Sequence, residues 1–373
     1  MSLPATFNLG FRFKGNCPAM AAFGHKPRFK ALKQSTPLKI DVALLAASAQ
    51  LRHYGTPYAS DAALCAAKET MLWSGWVAKR RDGFLYLRGN TTGHSGELTN
   101  CSGSLGEALA LHLAEDLYNI PLSLYRRIKE KDPQGMDFVA GTANGDLALE
   151  AKARANWNLS GAVDSATEQM KRRTAAQKYG SALLYQLGSK GKKRRRSYFY
   201  VFDPPPAPTG PSPEYPRRPL TQHYYQLAMV LGLWPLAHLM AIRLGIEPPT
   251  VEPEYLERAL SDPERMAAVR VESRGRVHIG RIFDPRMYPL ESLGLARYSS
   301  AWPYFFHGLD LEVIDRLIRF DDDDVAALVL PGPRYSERRS VGNDEISHAR
   351  LSDGMLRVDL SAPILLDHGD LSL

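Results

Sequence analysis

The chain has 373 residues, 44% of them hydrophobic, and a formal net charge of +7. This length allows two domains with separate cores. The three cysteines, Cys17, Cys65 and Cys101, are far apart in the sequence. Neither a disulfide framework nor a zinc site is therefore predicted, and a reducing, cytoplasmic compartment is expected.

The positive charge is concentrated in the first half of the chain. Residues 1–203 hold 29 Lys and Arg against 16 Asp and Glu, a formal charge of +13. The remainder holds 18 against 24, a formal charge of −6. Such asymmetry predicts that the first half binds a polyanion, with nucleic acid as the expected partner and DNA favoured over RNA.

The first 100 residues are interpreted as a basic, partly ordered N-terminal region. Residues 1–40 contain seven basic side chains and no acidic one, with phenylalanines between them. This composition fits an arm that contacts phosphates and stacks on bases. It fits equally well a flexible terminus or a strand that packs on the core.

A compact core is predicted over residues 101–203, beginning with a helix from Ser104 to about Tyr118. Ser104 and Glu107 have the spacing of a capping box. Glu107 also falls on the apolar arc of this helix, where a carboxylate is costly unless it is capped, paired or bound to a metal. A cap role and an active-site role for Glu107 both remain open here.

A β-hairpin is predicted next. Residues 135–140 read as one strand and 147–153 as another, with Asn144-Gly145 as a strong turn signal between them. Side chains alternate along a strand, so Glu150 and Lys152 share one face. The hairpin brings Asp137 close to both of them.

A second helix is predicted from a capping box at Ser165 and Glu168 to near Gly180. Strands are expected at Ser181–Gln186 and Ser197–Phe202. Polar residues of this helix are candidates for the site or for nucleic-acid contact, namely Gln169, Lys171, Arg172 and Arg173.

Asp137 followed by Glu150-Ala151-Lys152 resembles the signature of the PD-(D/E)xK nucleases, the restriction-endonuclease-like superfamily. The resemblance extends over Ser104 to Asp203 and departs from the pattern at Met136, where a proline would stand. It implies an α/β protein with a restriction-endonuclease-like α/β/α core. It also implies catalytic roles for residues on the helices that flank the hairpin, namely Glu107 and Gln169.

These residue types suit metal-dependent cleavage of phosphodiesters. Asp137, Glu150 and the Ala151 carbonyl offer the oxygen ligands that Mg²⁺ or Mn²⁺ prefers. Lys152 would orient the attacking water or stabilise charge on the phosphate oxygens. The alternative is a surface hairpin that carries an ordinary ion pair.

A run of basic residues precedes the last strand of this core. It is a nucleic-acid patch or a solvated hairpin loop, and its members are Lys190, Lys192, Lys193, Arg194, Arg195 and Arg196.

Residues 204–219 contain eight prolines, which predicts a stiff linker to a separate mixed α/β domain at 220–373. The uncharged stretch Leu220–Ile242 predicts two buried helices and no membrane span, because Pro235 interrupts it. A hairpin is expected at 273–275 and a helix at 310–319. Strands are expected at 325–330 and 355–360, and an acidic loop at 321–324.

The sequence thus predicts a metal-dependent nuclease acting on DNA, in a restriction, phage-defence or repair setting. The alternatives are a catalytically inactive nucleic-acid-binding subunit of a larger complex and an interaction protein. The C-terminal domain would recognise targets, regulate activity or dock a protein partner. A homodimer is compatible with the sequence.

Overall fold

A computed structural model divides the chain into two compact units, residues 1–52 with 69–212 (unit 1) and residues 53–68 with 213–373 (unit 2). The structure describes residues 4–13, 37–53, 69, 72–89, 96–118, 120–128, 136–142, 145–155, 158–175, 177–187, 196–202, 217–267, 269–283, 304–319, 334–341, 344–360 and 370–372.

Unit 1 combines helices with strands. Its helices are α1 (Val42–Ala49), α2 (Gly96–Tyr118) and α3 (Leu159–Arg172), with 3-10 turns at Gln50–His53 and Leu122–Leu124. Its strands are β1 (Thr6–Phe13), β2 (Leu38–Asp41), β3 (Val77–Lys79), β4 (Leu85–Leu87), β5 (Tyr125–Arg127), β6 (Phe138–Thr142), β7 (Gly145–Ala155), β8 (Gln177–Tyr185) and β9 (Tyr198–Phe202).

A seven-stranded mixed sheet in the order β2-β1-β9-β8-β7-β6-β5 forms the centre of unit 1, and β3 and β4 form a small separate ribbon. The strands β7 and β8 are parallel, whereas β6 and β7 are antiparallel. Strand β1 pairs with β9, so the part of the basic N-terminal region that it covers belongs to this sheet. Residues 14–36 of that region lie outside the described residues.

Helices cover both faces of this sheet at β7, which makes unit 1 an α/β structure. A side-chain carbon added to Gly106 of α2 would lie 3.1 Å from Ala153 Cβ and 3.3 Å from the Lys152 carbonyl, so α2 approaches the odd-numbered face. On the other face, Ala148 shares an apolar cluster with Ala162 and Ala166 of α3. The alternation predicted for β7 is confirmed.

The start predicted for α2 is wrong. This helix begins at Gly96, so Ser104 lies in its interior. The Ser104 hydroxyl donates to the Cys101 carbonyl at 3.1 Å and accepts the Trp73 indole N–H at 2.7 Å. A cap role for Glu107 is excluded for the same reason, since no helix starts three residues before it.

The bounds predicted for the next helix are also wrong. Helix α3 begins at Leu159 with Asn158 as its N-cap, whose side chain accepts the Gly161 N–H at 3.0 Å. Ser165 is therefore a mid-helix residue. The helix ends at Arg172, and Gly180 lies inside β8, where it faces the ring of Phe202.

The predicted hairpin forms, with its turn shifted by one residue. Thr142 pairs with Gly145, so Gly145 is the first residue of β7 and not a central turn residue. It still has a positive φ of 91°, the conformation that favours glycine. Asn144 lies outside the described residues.

Unit 2 contains four helices among its described residues, α4 (Arg217–Leu231), α5 (Trp234–Leu244), α6 (Pro253–Ser261) and α7 (Leu311–Arg319), and a 3-10 turn at Pro263–Met266. Its strands are β10 (Val269–Ser273), β11 (Arg276–Phe283), β12 (Tyr304–Asp310), β13 (Tyr335–Val341), β14 (Asp344–Arg350), β15 (Met355–Leu360) and β16 (Asp370–Ser372).

These strands form one sheet in the order β13-β14-β15-β12-β11-β10-β16. The sheet curls, because β13 contacts β10, which lies five positions away in this order. The Tyr335 hydroxyl of β13 donates to Ser273 Oγ of β10 at 3.0 Å. Next to this contact, Arg274 forms an ion pair with Glu337. Apolar side chains of five residues fill the concave face, namely Val271, Phe306, Ile346, Leu356 and Val358.

Several expectations for unit 2 are confirmed. The stretch Leu220–Ile242 forms two helices that meet at Gly232, with Pro235 in the first turn of α5. The hairpin at 273–275, the helix at 310–319 and the strand at 355–360 are also present. Residues 321–330, with the predicted acidic loop and strand, lie outside the described residues. Among the described helices, none is long and apolar enough to cross a membrane.

Candidate active site

The site lies just before the start of β6, where the pairing between β6 and β7 ends. Met136 has a positive φ of 72°, an unusual conformation for a residue with a side chain. The Asp137 N–H still donates to the Leu149 carbonyl at 3.1 Å. At the next position of β7, the Ala151 N–H donates to the Asp137 side chain, at 2.8 Å from Oδ2, and not to a backbone carbonyl of the neighbouring strand. The Asp137 carboxylate is thereby held at the open end of the hairpin.

Glu150 and Lys152 project from the face of β7 that α3 covers. The Glu150 side chain is fully buried, and the Lys152 side chain is 16% exposed. Lys152 Nζ forms an ion pair with Glu150 Oε1. No described residue forms a hydrogen bond with Glu150 Oε2. A buried carboxylate oxygen without a partner is costly, so this atom requires an explanation.

Burial and repulsion from neighbouring carboxylates raise the pKa of Asp137 and of Glu150. For Glu150, burial is the largest cause and the charge of Asp137 is the next, and Lys152 opposes them only in part. For Asp137, burial and then the charge of Glu107 raise the pKa, against the Ala151 N–H and Lys152. A divalent cation between these groups would relieve both effects, because it favours the charged carboxylates.

Glu107 lies close enough to influence these groups electrostatically, yet arginines hold its carboxylate. Arg52 donates from Nε to Glu107 Oε2 at 2.7 Å, and its Nη2 is also 2.7 Å from that oxygen. Arg127 Nη2 lies 3.6 Å from the same oxygen and its Nη1 donates to the Arg52 carbonyl at 3.0 Å. Arg52 also pairs with Glu69. Glu107 therefore anchors an arginine network in this structure.

The donor set fits a hard divalent cation, with two carboxylates and one carbonyl. In a strand the N–H and C=O of one residue point to the same side, so the Ala151 carbonyl lies on the Asp137 side of β7. Glu150 Oε2 supplies a buried oxygen without a partner among the described residues. No cluster of three or more His, Cys, Asp or Glu suited to a metal is found in the described ranges, which agrees with Glu107 being held elsewhere.

Gln169 lies on α3, one position before Met170 of the cluster that packs on the sheet. Its Oε1 is buried and has no hydrogen-bond partner among the described residues. The following residues lie at the end of α3, where Lys171 and Arg172 are exposed and Arg173 is half-buried. The structure thus places a half-buried glutamine with a buried amide oxygen, and a basic helix end, on α3.

The basic run before β9 is described only at its last residue. Arg196 packs over the ring of Phe84, with its guanidinium carbon 4.6 Å from the ring centre. The other members, residues 190–195, lie outside the described residues.

Two site residues were missed in the sequence. Arg52 and Arg127 lie 55 residues before and 20 residues after Glu107 in the chain, and no motif connects them to it. Two adjacent arginines, Arg126 and Arg127, were the available signal for Arg127, and such pairs are common in sequences.

Comparisons of the chain with known families, proteins and structures identify no relative. No protein-family model matches the chain, and neither the curated proteins nor the solved structures give a significant match. The site's own geometry and chemistry therefore carry any assignment of function.

Proposed function

We propose that unit 1 is a metal-dependent nuclease that hydrolyses phosphodiester bonds in DNA. The observation that carries this proposal is Glu150, a fully buried carboxylate with one oxygen lacking a partner among the described residues. It lies beside Lys152 and close to the charge of Asp137. Evolved cores rarely bury a charge in this way unless a ligand or a reaction requires it.

A bound Mg²⁺ or Mn²⁺ supplies two things, polarisation of the scissile phosphate and a more acidic water. Asp137, Glu150 and the Ala151 carbonyl would hold it through their oxygens. Lys152, which pairs with Glu150, would then be free to donate from Nζ to a phosphate oxygen or to the attacking water. A lysine suits this role because it is a compact charge on a flexible stem.

The order of elements supports a restriction-endonuclease-like core as part of the proposal. Helix α2, the β6–β7 hairpin, α3 and β8 follow each other in the chain, and α2 and α3 lie on opposite faces of β7. Gln169 would orient an active-site group through its buried carboxamide. Glu107 would act through the arginine network, as a group that positions and does not bind the metal directly.

The basic charge of unit 1 would bind the nucleic-acid backbone. The exposed end of α3, Lys171 and Arg172, and the run 190–196 lie in the same unit as Glu150. Phosphate contacts of this kind supply most of the affinity for nucleic acid without regard to sequence.

A cleavage assay tests this function. Supercoiled plasmid, linear duplex, single-stranded DNA and RNA would each be incubated with the full chain and Mg²⁺ or Mn²⁺. Glu150→Gln and Lys152→Ala are the test variants, and Arg265→Ala is the matched control, because Arg265 forms an ion pair with Asp262 at the surface and belongs to neither proposed site. Cleavage that both test variants lose and the control keeps supports the proposal. Cleavage that survives Glu150→Gln refutes the assigned site.

One observation favours a second candidate, a nucleic-acid-binding subunit without catalysis. The acidic groups near the hairpin already have cationic partners, Lys152 for Glu150 and Arg52 for Glu107. Such pairs would stabilise a site that has lost its metal. Metal-independent binding of DNA, with no cleavage of any of the four substrates, would identify this function.

A further inference from the structure

A grid of basic and aromatic side chains lies on one face of the unit 2 sheet. In strands β11, β12 and β15, backbone pairing aligns two rows of side chains on that face. The first row is Arg281, His307 and Arg357, and the second row is Phe283, Phe305 and Asp359.

The aromatic pair separates two guanidinium groups. Arg281 lies over the ring of Phe283, 4.3 Å from its centre, and Arg357 lies over the ring of Phe305 at 5.1 Å. The two rings stack on each other with centres 5.0 Å apart and planes inclined by 8°. The inner ring faces cover each other and a guanidinium covers each outer face, so no face remains for a stacked base. The stacked rings lie between the two guanidinium groups and separate them, and each ring attracts its own guanidinium by a cation–π contact.

Three hydrogen-bonding atoms at the centre of this grid are buried and have no partner among the described residues. Arg357 is 1% exposed, and its Nη1 has no hydrogen-bond partner among the described residues. The other guanidinium nitrogens, Nε and Nη2, lie 2.8 Å from Asp359 Oδ1. His307 is fully buried, and neither of its ring nitrogens has a described partner. Burial, followed by the charges of Arg357 and Arg281, lowers the pKa of His307.

An unsatisfied guanidinium N–H beside an unsatisfied imidazole is an expensive arrangement for a protein interior. A well-packed apolar pair would cost less at these positions. Asp359 is the only acidic residue in the two rows, so positive charge exceeds negative charge on the grid. An oxyanion would supply the missing acceptor and balance the charge, because guanidinium groups form strong hydrogen bonds to phosphate.

We propose that Arg357, His307 and Arg281 form an anion site in unit 2 that binds a phosphate group. Adjacent strands are about 4.8 Å apart, so one phosphate between Arg357 and His307 contacts both of them. Arg281 is only half-buried, and it marks the side from which the anion enters. The site belongs to unit 2, whereas the proposed nuclease centre belongs to unit 1.

The phosphate group has two sources, free phosphate or pyrophosphate and the phosphate of a nucleotide. Thermal unfolding and titration calorimetry of the full chain would compare inorganic phosphate, pyrophosphate, a nucleoside monophosphate and chloride at constant ionic strength. EDTA and a Glu150→Gln background remove any contribution from the proposed metal centre. We expect at least one phosphate compound to raise the unfolding temperature in both backgrounds, while chloride does not.

Arg357→Met and His307→Asn should each weaken phosphate binding about tenfold or more, because each removes a hydrogen bond to a charged group. Arg270→Met is the matched control, since Arg270 is an exposed arginine of the same sheet that pairs with Glu264. Stabilisation by phosphate that Arg357→Met retains refutes the site. So does a wild-type chain that none of the phosphate compounds stabilises, a result that needs no variant to fold.

Discussion

The carboxylate of Asp137 accepts the backbone N–H of Ala151 at 2.8 Å, and this bond takes the place of a β-ladder bond that ends at Met136. It orients the acidic group of Asp137 toward the Glu150-Ala151-Lys152 segment of the other strand. Asp137 precedes Glu150 by 13 residues and Lys152 by 15 residues in the sequence, and the hairpin brings the three together.

Lys152→Ala should abolish turnover while leaving affinity for DNA almost unchanged. The ammonium group acts on one phosphate in the transition state, whereas binding depends on many phosphate contacts. We expect kcat to fall by about 100-fold or more. Single-turnover cleavage gives the rate, and fluorescence anisotropy with Ca²⁺ in place of Mg²⁺ gives the affinity. A variant that cleaves normally but binds poorly would reverse the assigned role.

Glu150→Gln should stabilise the metal-free protein at neutral pH and remove its stabilisation by Mn²⁺. The folded-state pKa of Glu150 is raised by burial and by Asp137. A carboxyl group with a raised pKa contributes stability below its unfolded-state pKa of about 4.3, and loses it as the pH rises through the folded-state pKa. Glutamine has no such loss.

Urea unfolding between about pH 5 and about pH 8 would measure the difference in free energy of unfolding between wild type and Glu150→Gln. We expect the variant's advantage over wild type to grow with pH when EDTA is present, and wild type to regain stability when Mn²⁺ is added. The same shift predicts that Mn²⁺ affinity increases with pH and that binding releases protons. A metal-free wild type that gains stability with pH relative to Glu150→Gln would contradict the assigned environment of Glu150.

Glu107→Gln should destabilise unit 1 by roughly 1 to 3 kcal/mol, because Arg52 is buried and loses one of its two carboxylate partners. Chemical denaturation measures this loss. Metal affinity should fall less than in Glu150→Gln. An unchanged stability together with a loss of metal affinity equal to that of Glu150→Gln would instead make Glu107 a metal ligand.

Neutralising the basic run at 190–196 should weaken DNA binding and flatten its dependence on salt. Each phosphate contact that is lost lowers the slope of log K against log salt by about 0.9 for duplex DNA. Binding titrations at several salt concentrations provide the slope. Cleavage of bound DNA at saturation should stay near the wild-type rate. If the slope is unchanged, these residues do not contact the backbone.

Unit 2 should lose stability as the pH falls below about 6.5, the unfolded-state pKa of histidine. Burial lowers the folded-state pKa of His278 and of His307, so the unfolded chain takes up protons first as the solution is acidified. Stability is complete above this pH and is lost toward the lowered pKa. His278→Asn should reduce the slope of this stability loss with pH. Urea unfolding followed by a signal from unit 2 would test this.

The hairpin and its alternation are local properties, and the residues of β7 were sufficient to predict them. The capping boxes failed for a physical reason. Serine and glutamate also occur inside helices, and Ser104 forms its hydrogen bonds there to Cys101 and Trp73. A four-residue pattern cannot distinguish a helix start from a helix interior when the serine's hydrogen-bond partner, here Trp73, comes from a distant segment.

The sequence alone established an α/β chain, a basic first half and a strand with Glu150 and Lys152 on one face. Hydrophobic periodicity and charge are properties of the chain that can be read without its fold. Long-range packing decided what those carboxylates meet. Arg52 forms an ion pair with Glu107, and α3 packs on the face of β7 from which Glu150 projects. Such contacts depend on how separate segments fold together, and no spacing within either segment records them.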